Sequence, residues 1–323
     1  QINAKYSMNQ TSSLCPVCGN ASRYDYSGRD LMFNHYDRYD YHQCSTCELI
    51  FQHPLPSMEI ISNFYPDSYD VYEESRRLKK ITRFRMSRLK LKFGYKHLQT
   101  STFTDFFSLI TTSFQSGFEV PFIENGQLLD VGCGNGRYLD GMNKLGWNAK
   151  GVEFNESAVK VCRLSGLDVH HGDLFSANFK DNSFDVINVS HVVEHVPNPR
   201  AFFSELSRIL KQNGQLIIKT PNSKALGRLF FNTNWYANDV PRHIYLFSEK
   251  NLSELAQRSD LKINQFRTHS TPKIILNSLG YITHNKGTPS KRIWWKRVFA
   301  RLYVWLSHYK SQGDEIFAVF TKN

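Results

Sequence analysis

Leu128-Leu129-Asp130-Val131-Gly132-Cys133-Gly134-Asn135-Gly136-Arg137-Tyr138-Leu139 is the stretch on which the fold turns. A short apolar run is interrupted by an acid, glycines follow at alternate positions, and a helix-like pattern begins. That order reads as a buried strand delivering the chain to a tight turn. A turn bare of side chains lets a ligand reach the backbone, and the next helix opens with its amide N–H groups facing that ligand. Such a loop holds a nucleotide-like cofactor at the carboxyl edge of a parallel sheet. Ordinary turns also carry glycines at this spacing, so the downstream residues decide.

Beyond the loop the pattern alternates. Strands are predicted at 127–131, 149–153, 167–170, 184–190, 214–219, 263–269 and 315–321, with helices near 135–146, 155–165, 198–211 and 248–259. Ser248 is the expected amino-terminal cap of the last of these, and Asn213-Gly214 marks a turn. The fold class is therefore α/β, a doubly wound, seven-stranded, Rossmann-like sheet. Glu153, followed by Phe154, ends the second strand about 20 residues past the loop, where a carboxylate accepts hydrogen bonds from ribose hydroxyls. After the third strand, Asp173 is placed to take a hydrogen bond from an adenine amino group, with Leu174 or Phe175 against the ring. The fourth strand ends at Ser190, also assigned to the cofactor rim. A dinucleotide dehydrogenase shows GxGxxG; here Gly132, Gly134 and Gly136 run GxGxG behind Asp130, which suits an ammonium and a sulfonium better than a pyrophosphate. Cys133 is the small filler within that loop, and Cys162 reads as core.

Taken in order, Leu128–Leu139, Glu153, Asp173, Phe184–Pro199 and Leu210-Lys211-Gln212-Asn213-Gly214-Gln215-Leu216 resemble a class I S-adenosylmethionine-dependent methyltransferase over residues 125–220. The resemblance implies S-adenosylmethionine as cofactor and methyl transfer as activity. The segment after the fourth strand is also similar to ubiquinone-type O-methyltransferases, which have an acid, two residues, then Glu-His; His191 stands at the position of that acid.

Near the start, Cys15-Pro16-Val17-Cys18-Gly19 and Cys44-Ser45-Thr46-Cys47 are separated by 25 residues that read as short strands. Two thiol pairs with two-residue gaps aim four sulfurs at one tetrahedral ion, so Cys15, Cys18, Cys44 and Cys47 are expected to hold a structural zinc with no open position for chemistry. Glu48 replaces the glycine that follows the first pair, which weakens the second turn. Running into CELIFQHPLP (47–56) and FYPDSYD (64–70), and joined later by WYANDVPRHIYLFS (235–248), this module resembles the one that precedes the methyltransferase domain in sugar C- and O-methyltransferases of bacterial polysaccharide and natural-product pathways. Phe64, Tyr65, Tyr69 and Tyr72 either pack the module onto the core or lie over the pocket.

The expected organisation is a zinc module and linker at 1–72, a basic helical connector at 73–124, a cofactor-binding core at 125–270, and a basic helix plus the last core strand at 271–323. Two basic stretches, 76–96 and 291–306, read either as solvated helix faces or as contacts with an anionic membrane surface. A net charge of +11 points to an anionic partner. No secretory pattern opens the chain at Gln1, so a cytoplasmic protein is expected, with a peripheral site at the inner membrane face as the alternative.

For the chemistry, His195 beside Glu194 is the first candidate base, His191 the second and His243 the third. A helical segment would put His191 and His195 on one face. Arg242 is read as a holder of a substrate phosphate or carboxylate, or as a helix cap or surface residue. The expected acceptor is a small or glycan-linked, anionic molecule, foremost a nucleotide-activated sugar or surface-polymer saccharide. The alternatives are an RNA methyltransferase, disfavoured because the basic residues cluster outside the zinc module, and a membrane-associated protein that keeps the fold without catalysis. The sequence leaves the oligomeric state open.

Overall fold

The computed structural model describes residues 13–65, 82–110, 120–284, 294–309 and 311–322. Three strands come first: β1 (Ser22–Arg29), β2 (Arg38–Cys44) and β3 (Ile50–Gln52), followed by the helices α1 (Met58–Ser62), α2 (Arg83–Phe93) and α3 (Thr102–Ile110). Next come β4 (Gln127–Val131), α4 (Arg137–Lys144), β5 (Asn148–Glu153), α5 (Glu156–Leu164), β6 (Asp168–His171), β7 (Phe184–Ser190), α6 (Pro199–Ile209) and β8 (Leu210–Pro221). The chain ends with α7 (Leu226–Phe231), β9 (Tyr245–Leu246), α8 (Glu249–Gln257), β10 (Leu261–His269), α9 (Pro272–His284), α10 (Trp294–Tyr309) and β11 (Glu315–Lys322).

Seven strands make one sheet in the order β10-β11-β8-β7-β4-β5-β6. β4 pairs in parallel with both β5 and β7, whereas β11 runs antiparallel to both its neighbours. Alternation along β4 divides the core: Leu129 and Val131 join Phe203, Leu206 and Leu252 on one face, and Leu128 joins Leu139, Met142 and Val159 on the other. A strand buried on both faces needs apolar residues at both parities, which β4 has. The chain leaves β4 for β5 and β6 on one side and returns to β7 on the other. That reversal opens a crevice at the carboxyl ends of β4 and β7.

Local chemistry sets the helix starts. Asn155 accepts from the N–H of Ala158, Asn198 from that of Ala201 with Pro199 in the first turn, and Ser248 forms a capping box with Asn251. The predicted turn at Asn213-Gly214 is absorbed differently: β8 begins at Leu210, opposite Phe184, and the next partner along is Gln215 opposite Val186, so the extra residues form a bulge within the strand.

The boundary expected at residue 72 is crossed by a sheet. β1, β2 and β3 are joined by β9, whose two residues pair with Ile50 and Phe51, giving the order β1-β2-β3-β9. Module and core thus share a sheet as well as a surface. In the connector, α2 exposes Arg83 and Arg85 but buries Arg88, so its basic face is not uniformly solvated. α1 and α7 have no counterpart among the predicted helices, nor does α9 as a helix separate from the basic one, whereas α3 falls within the expected helical connector. The expectations placed on residues 1–12, 66–81 and 285–293, including Tyr69, Tyr72 and much of both basic stretches, lie outside the described residues. Among the described residues no helix is long and apolar enough to cross a membrane.

Candidate active site

A cavity of about 940 Å³ opens at the carboxyl ends of the central strands, where the sheet topology puts the crevice. One half is lined by the glycine loop and the strand ends that follow it. The three loop glycines serve two needs. At Gly132 (φ +71) an added Cβ would come 2.3 Å from Val192 Cγ2, and at Gly136 (φ +73) it would come 2.4 Å from Leu167. Gly134 (φ +53) has nothing within 4 Å at that point, so a Cβ there would stand in open space beside the cavity it lines.

Glu153 secures the loop and still lines the cavity. Its Oε2 accepts from the Gly134 N–H at 2.8 Å and its Oε1 from the Asn155 N–H at 2.9 Å. Burial raises its carboxyl pKa against the pull of those donors. Phe154, Asp173, Leu174 and Ser190 line the same half, and Asp173 Oδ1 accepts from the Ser176 N–H at 2.7 Å. The remaining assigned cofactor residues do not line the cavity. Asp130 is buried beneath the loop, accepting from Asn188 Nδ2 at 2.7 Å, and burial raises its pKa to about 7. Cys133 and Gly136 face the core around Cys162. Their part is to set the loop from below. The residues present fit an adenosyl cofactor: an open backbone cradle at Gly134, a carboxylate at the end of β5 and an acid just past β6.

The other half holds the histidines, in a geometry the sequence did not anticipate. The segment is not an α-helix: His191 has φ +56 and Val193–His195 is a single 3₁₀ turn. The side chains gather around Glu194 instead. Glu194, fully buried, accepts from Thr220 Oγ1 at 2.9 Å and meets His191 Nδ1 at 3.2 Å. His191 Nε2 lies 3.0 Å from Glu315 Oε1, which Lys219 also approaches at 3.1 Å. Deep placement lowers the His191 pKa, but the two carboxylates outweigh it and hold the imidazole at about 9. The ring is deep yet 38% open, because it borders the cavity. For Glu194, burial is outweighed by the surrounding imidazoles, and its pKa falls to about 2.

His195 is the opposite case. Burial, reinforced by the neighbouring His243, drives its pKa down to about 4. Its Nδ1 lies 2.8 Å from the Arg242 carbonyl and 2.9 Å from the Tyr65 hydroxyl. A carbonyl only accepts, so Nδ1 carries the proton and Nε2 keeps its lone pair. His243 is held the same way, Nδ1 to the Ala237 carbonyl at 2.9 Å, with Nε2 3.9 Å from both Glu194 and Asp239. Donor atoms of Glu194, His195 and His243 lie within 4.8 Å of one another, a spacing that could hold a cation.

Arg242 is not a substrate holder. It is fully buried, paired to Asp30 through both terminal nitrogens at 2.7 and 3.1 Å and to Asp239 at 2.7 Å. Sequence reasoning missed Tyr65 as a partner of His195, and Glu315, Lys219 and Asp239 as cavity residues. Tyr65 had a signal in the aromatic FYPDSYD stretch. Glu315 had none, since only the sheet brings it to His191.

The four module cysteines converge as predicted. Cys15 and Cys47 sulfurs are 3.5 Å apart, those of Cys18 and Cys44 3.4 Å, and all four lie within 4.8 Å of one another. Backbone N–H groups of Val17, Thr46 and Cys47 point at the sulfurs at 3.4 Å, an arrangement compatible with thiolates around a cation. Glu48 does take the left-handed conformation (φ 63) that Gly19 takes in the first turn, and it is tied down by Lys224 and Lys250.

A seven-stranded doubly wound sheet with one antiparallel strand, a glycine loop after its first strand and an acid ending its second, defines the class I methyltransferase architecture. A family model described as a methyltransferase domain matches residues 104–265, half of the chain, and the chain belongs to that family. The ubiquinone biosynthesis O-methyltransferase of Maricaulis maris is 32% identical over 138 residues, covering 40% of this chain and 54% of the relative. The mitochondrial enzyme of the same name from Schizosaccharomyces pombe is 32% identical over 142 residues, covering 41% and 49%. The chain spans about half the length of the curated relatives it matches. A solved S-adenosylmethionine-dependent methyltransferase from Archaeoglobus fulgidus is 23% identical, with a TM-score of 0.42 over 61% of this chain and 86% of that one.

Proposed function

We propose that this protein transfers the methyl group of S-adenosylmethionine to a hydroxyl of a small acceptor held in the cavity. What carries the reading is continuity: one cavity runs from Gly134 and Glu153 to His195 and His243. When bound, the cofactor supplies a methyl group on a positively charged sulfur. The chain's part is to align the acceptor, exclude water and remove a proton. His195 takes the proton at Nε2. A base whose pKa is about 4 is weak, but an alcohol becomes strongly acidic as its oxygen gains the methyl group, so a neutral imidazole already in place suffices. The four-cysteine module holds a structural zinc and takes part in no step.

The acceptor is proposed to be a saccharide, nucleotide-activated or part of a surface polymer. Supporting this are the resemblance of the zinc module and the polar groups Tyr65, Lys219, Asp239 and Glu315 on the cavity wall. A phenolic precursor of ubiquinone is the second reading, favoured by the names of the relatives, which match over the cofactor domain. Labelled S-adenosylmethionine offered with nucleotide sugars and polysaccharide fragments, and separately with hydroxylated aromatic precursors, tests both. Label should pass to the first set. Transfer to the second alone overturns the saccharide assignment, and absence of cofactor affinity by calorimetry overturns the whole reading.

A further inference from the structure

We propose that α10 seats the protein on an anionic lipid surface. From Thr271 to Gly313 the chain contains no Asp or Glu but has eight Lys or Arg: Lys273, Lys286, Lys291, Arg292, Lys296, Arg297, Arg301 and Lys310. Most of the +11 net charge therefore resides in 43 consecutive residues.

Helix α10 divides along its length. Ala300, Tyr303 and Ser307 are buried, Tyr303 donating to Asp314 at 2.9 Å and Ser307 to Ser270 at 2.9 Å. This fixes which side faces the protein. The opposite side carries Val298, Leu302, Trp305 and Tyr309 at spacings of four, three and four, which places them on one face. Leu302 is 53% exposed, Trp305 62% and Tyr309 80%, with Arg301 exposed beside them. Trp305 and Tyr309 stack, 6.1 Å between centroids. An apolar ridge with aromatic rings, with Arg301 exposed beside it in a stretch of sequence free of acids, matches the layered chemistry of a negatively charged bilayer surface: headgroup charge outside, acyl boundary within. A second copy would bring like charge against like. A nucleic acid would satisfy the cations and leave the apolar ridge in water.

The inference stands apart from methyl transfer and is tested without it. The full chain is sedimented with vesicles of phosphatidylcholine, with and without phosphatidylglycerol, and with RNA as competitor. Binding is expected only to the vesicles containing phosphatidylglycerol, and it should weaken as salt rises. Leu302→Glu and Trp305→Glu each place a charge on the ridge and should lower partitioning about tenfold or more, with Arg301→Glu also lowering it and Trp305→Phe largely retaining it. Thermal unfolding of each variant confirms an intact fold, and Arg301→Glu, confined to the surface, reports on the charge alone. Failure of the wild-type chain to bind phosphatidylglycerol vesicles overturns the proposal. So does undiminished binding by both ridge variants, loss of the bound fraction to RNA, or a self-associating species that Leu302→Glu dissolves without any vesicle binding.

Discussion

His191 and His195 are four residues apart and face opposite electrostatic fates, and each difference has a measurable consequence. His195 is buried beside another imidazole, so its proton is released early: kcat/KM should rise through about pH 4 and stay level through neutrality. An acid limb near the ordinary histidine value of about 6.5 would show that His195 is not the base. His195→Ala should lower kcat about 10²- to 10⁴-fold and remove the limb, while leaving cofactor affinity within about twofold. His191 lies between Glu194 and Glu315, and its folded pKa of about 9 exceeds the unfolded value. Its stabilising contribution is therefore complete below about pH 6.5 and is lost as pH rises through about 9. His191→Gln should cost on the order of 1 kcal/mol at pH 6, less than for a sealed pair because the ring borders the cavity, and that cost should shrink toward pH 10 in paired thermal melts.

The elements show which parts of the structure a sequence can disclose. All seven strands of the large sheet were legible, because apolar runs, glycine breaks and capping residues are local signals that local physics obeys. The cysteine pairs were legible for the same reason. Elemental analysis of chain purified without chelator should find one zinc per chain, and Cys44→Ser should lower the melting temperature by several degrees, because metal binding in such a module is folding free energy. Pairing across distance was not legible. β9 is two residues long, carries no pattern of its own, and exists because β3 offers it an edge. Glu315 enters the site because β11 inserts beside β8, and no spacing in the sequence announces it. The histidine segment misled for a different reason. Spacing of four suggests a helical face, but His191 adopts a left-handed conformation and the cluster forms around Glu194 instead.

Across the whole molecule, the four-cysteine module and the candidate base are joined by one buried side chain. Asp30 follows β1, Asp239 lies in the segment before β9, and Arg242 binds both, with two of its nitrogens on Asp30 in a forked pair. The Arg242 main-chain carbonyl in turn receives the His195 Nδ1 proton, and Tyr41 of the module donates to the His243 carbonyl at 2.8 Å. Movement of the module relative to the core would thus reach the imidazole through one peptide unit. The Arg242 side chain does not itself line the cavity and reaches it only through Asp239, so its effect on the chemistry is one of positioning. Arg242→Met, which strands two buried carboxylates, should cost about 3–5 kcal/mol and test stability alone. Arg242→Lys is the more informative change: it keeps the charge but loses the fork, at a cost of about 1.5–3 kcal/mol for a charged hydrogen bond lost. If the carbonyl holds the His195 tautomer, this variant should show a kcat lowered about tenfold, unchanged cofactor affinity, and an acid limb displaced from pH 4. A variant that melts earlier but retains both kcat and the pH profile would show that the ion pair braces the two sheets without orienting the base.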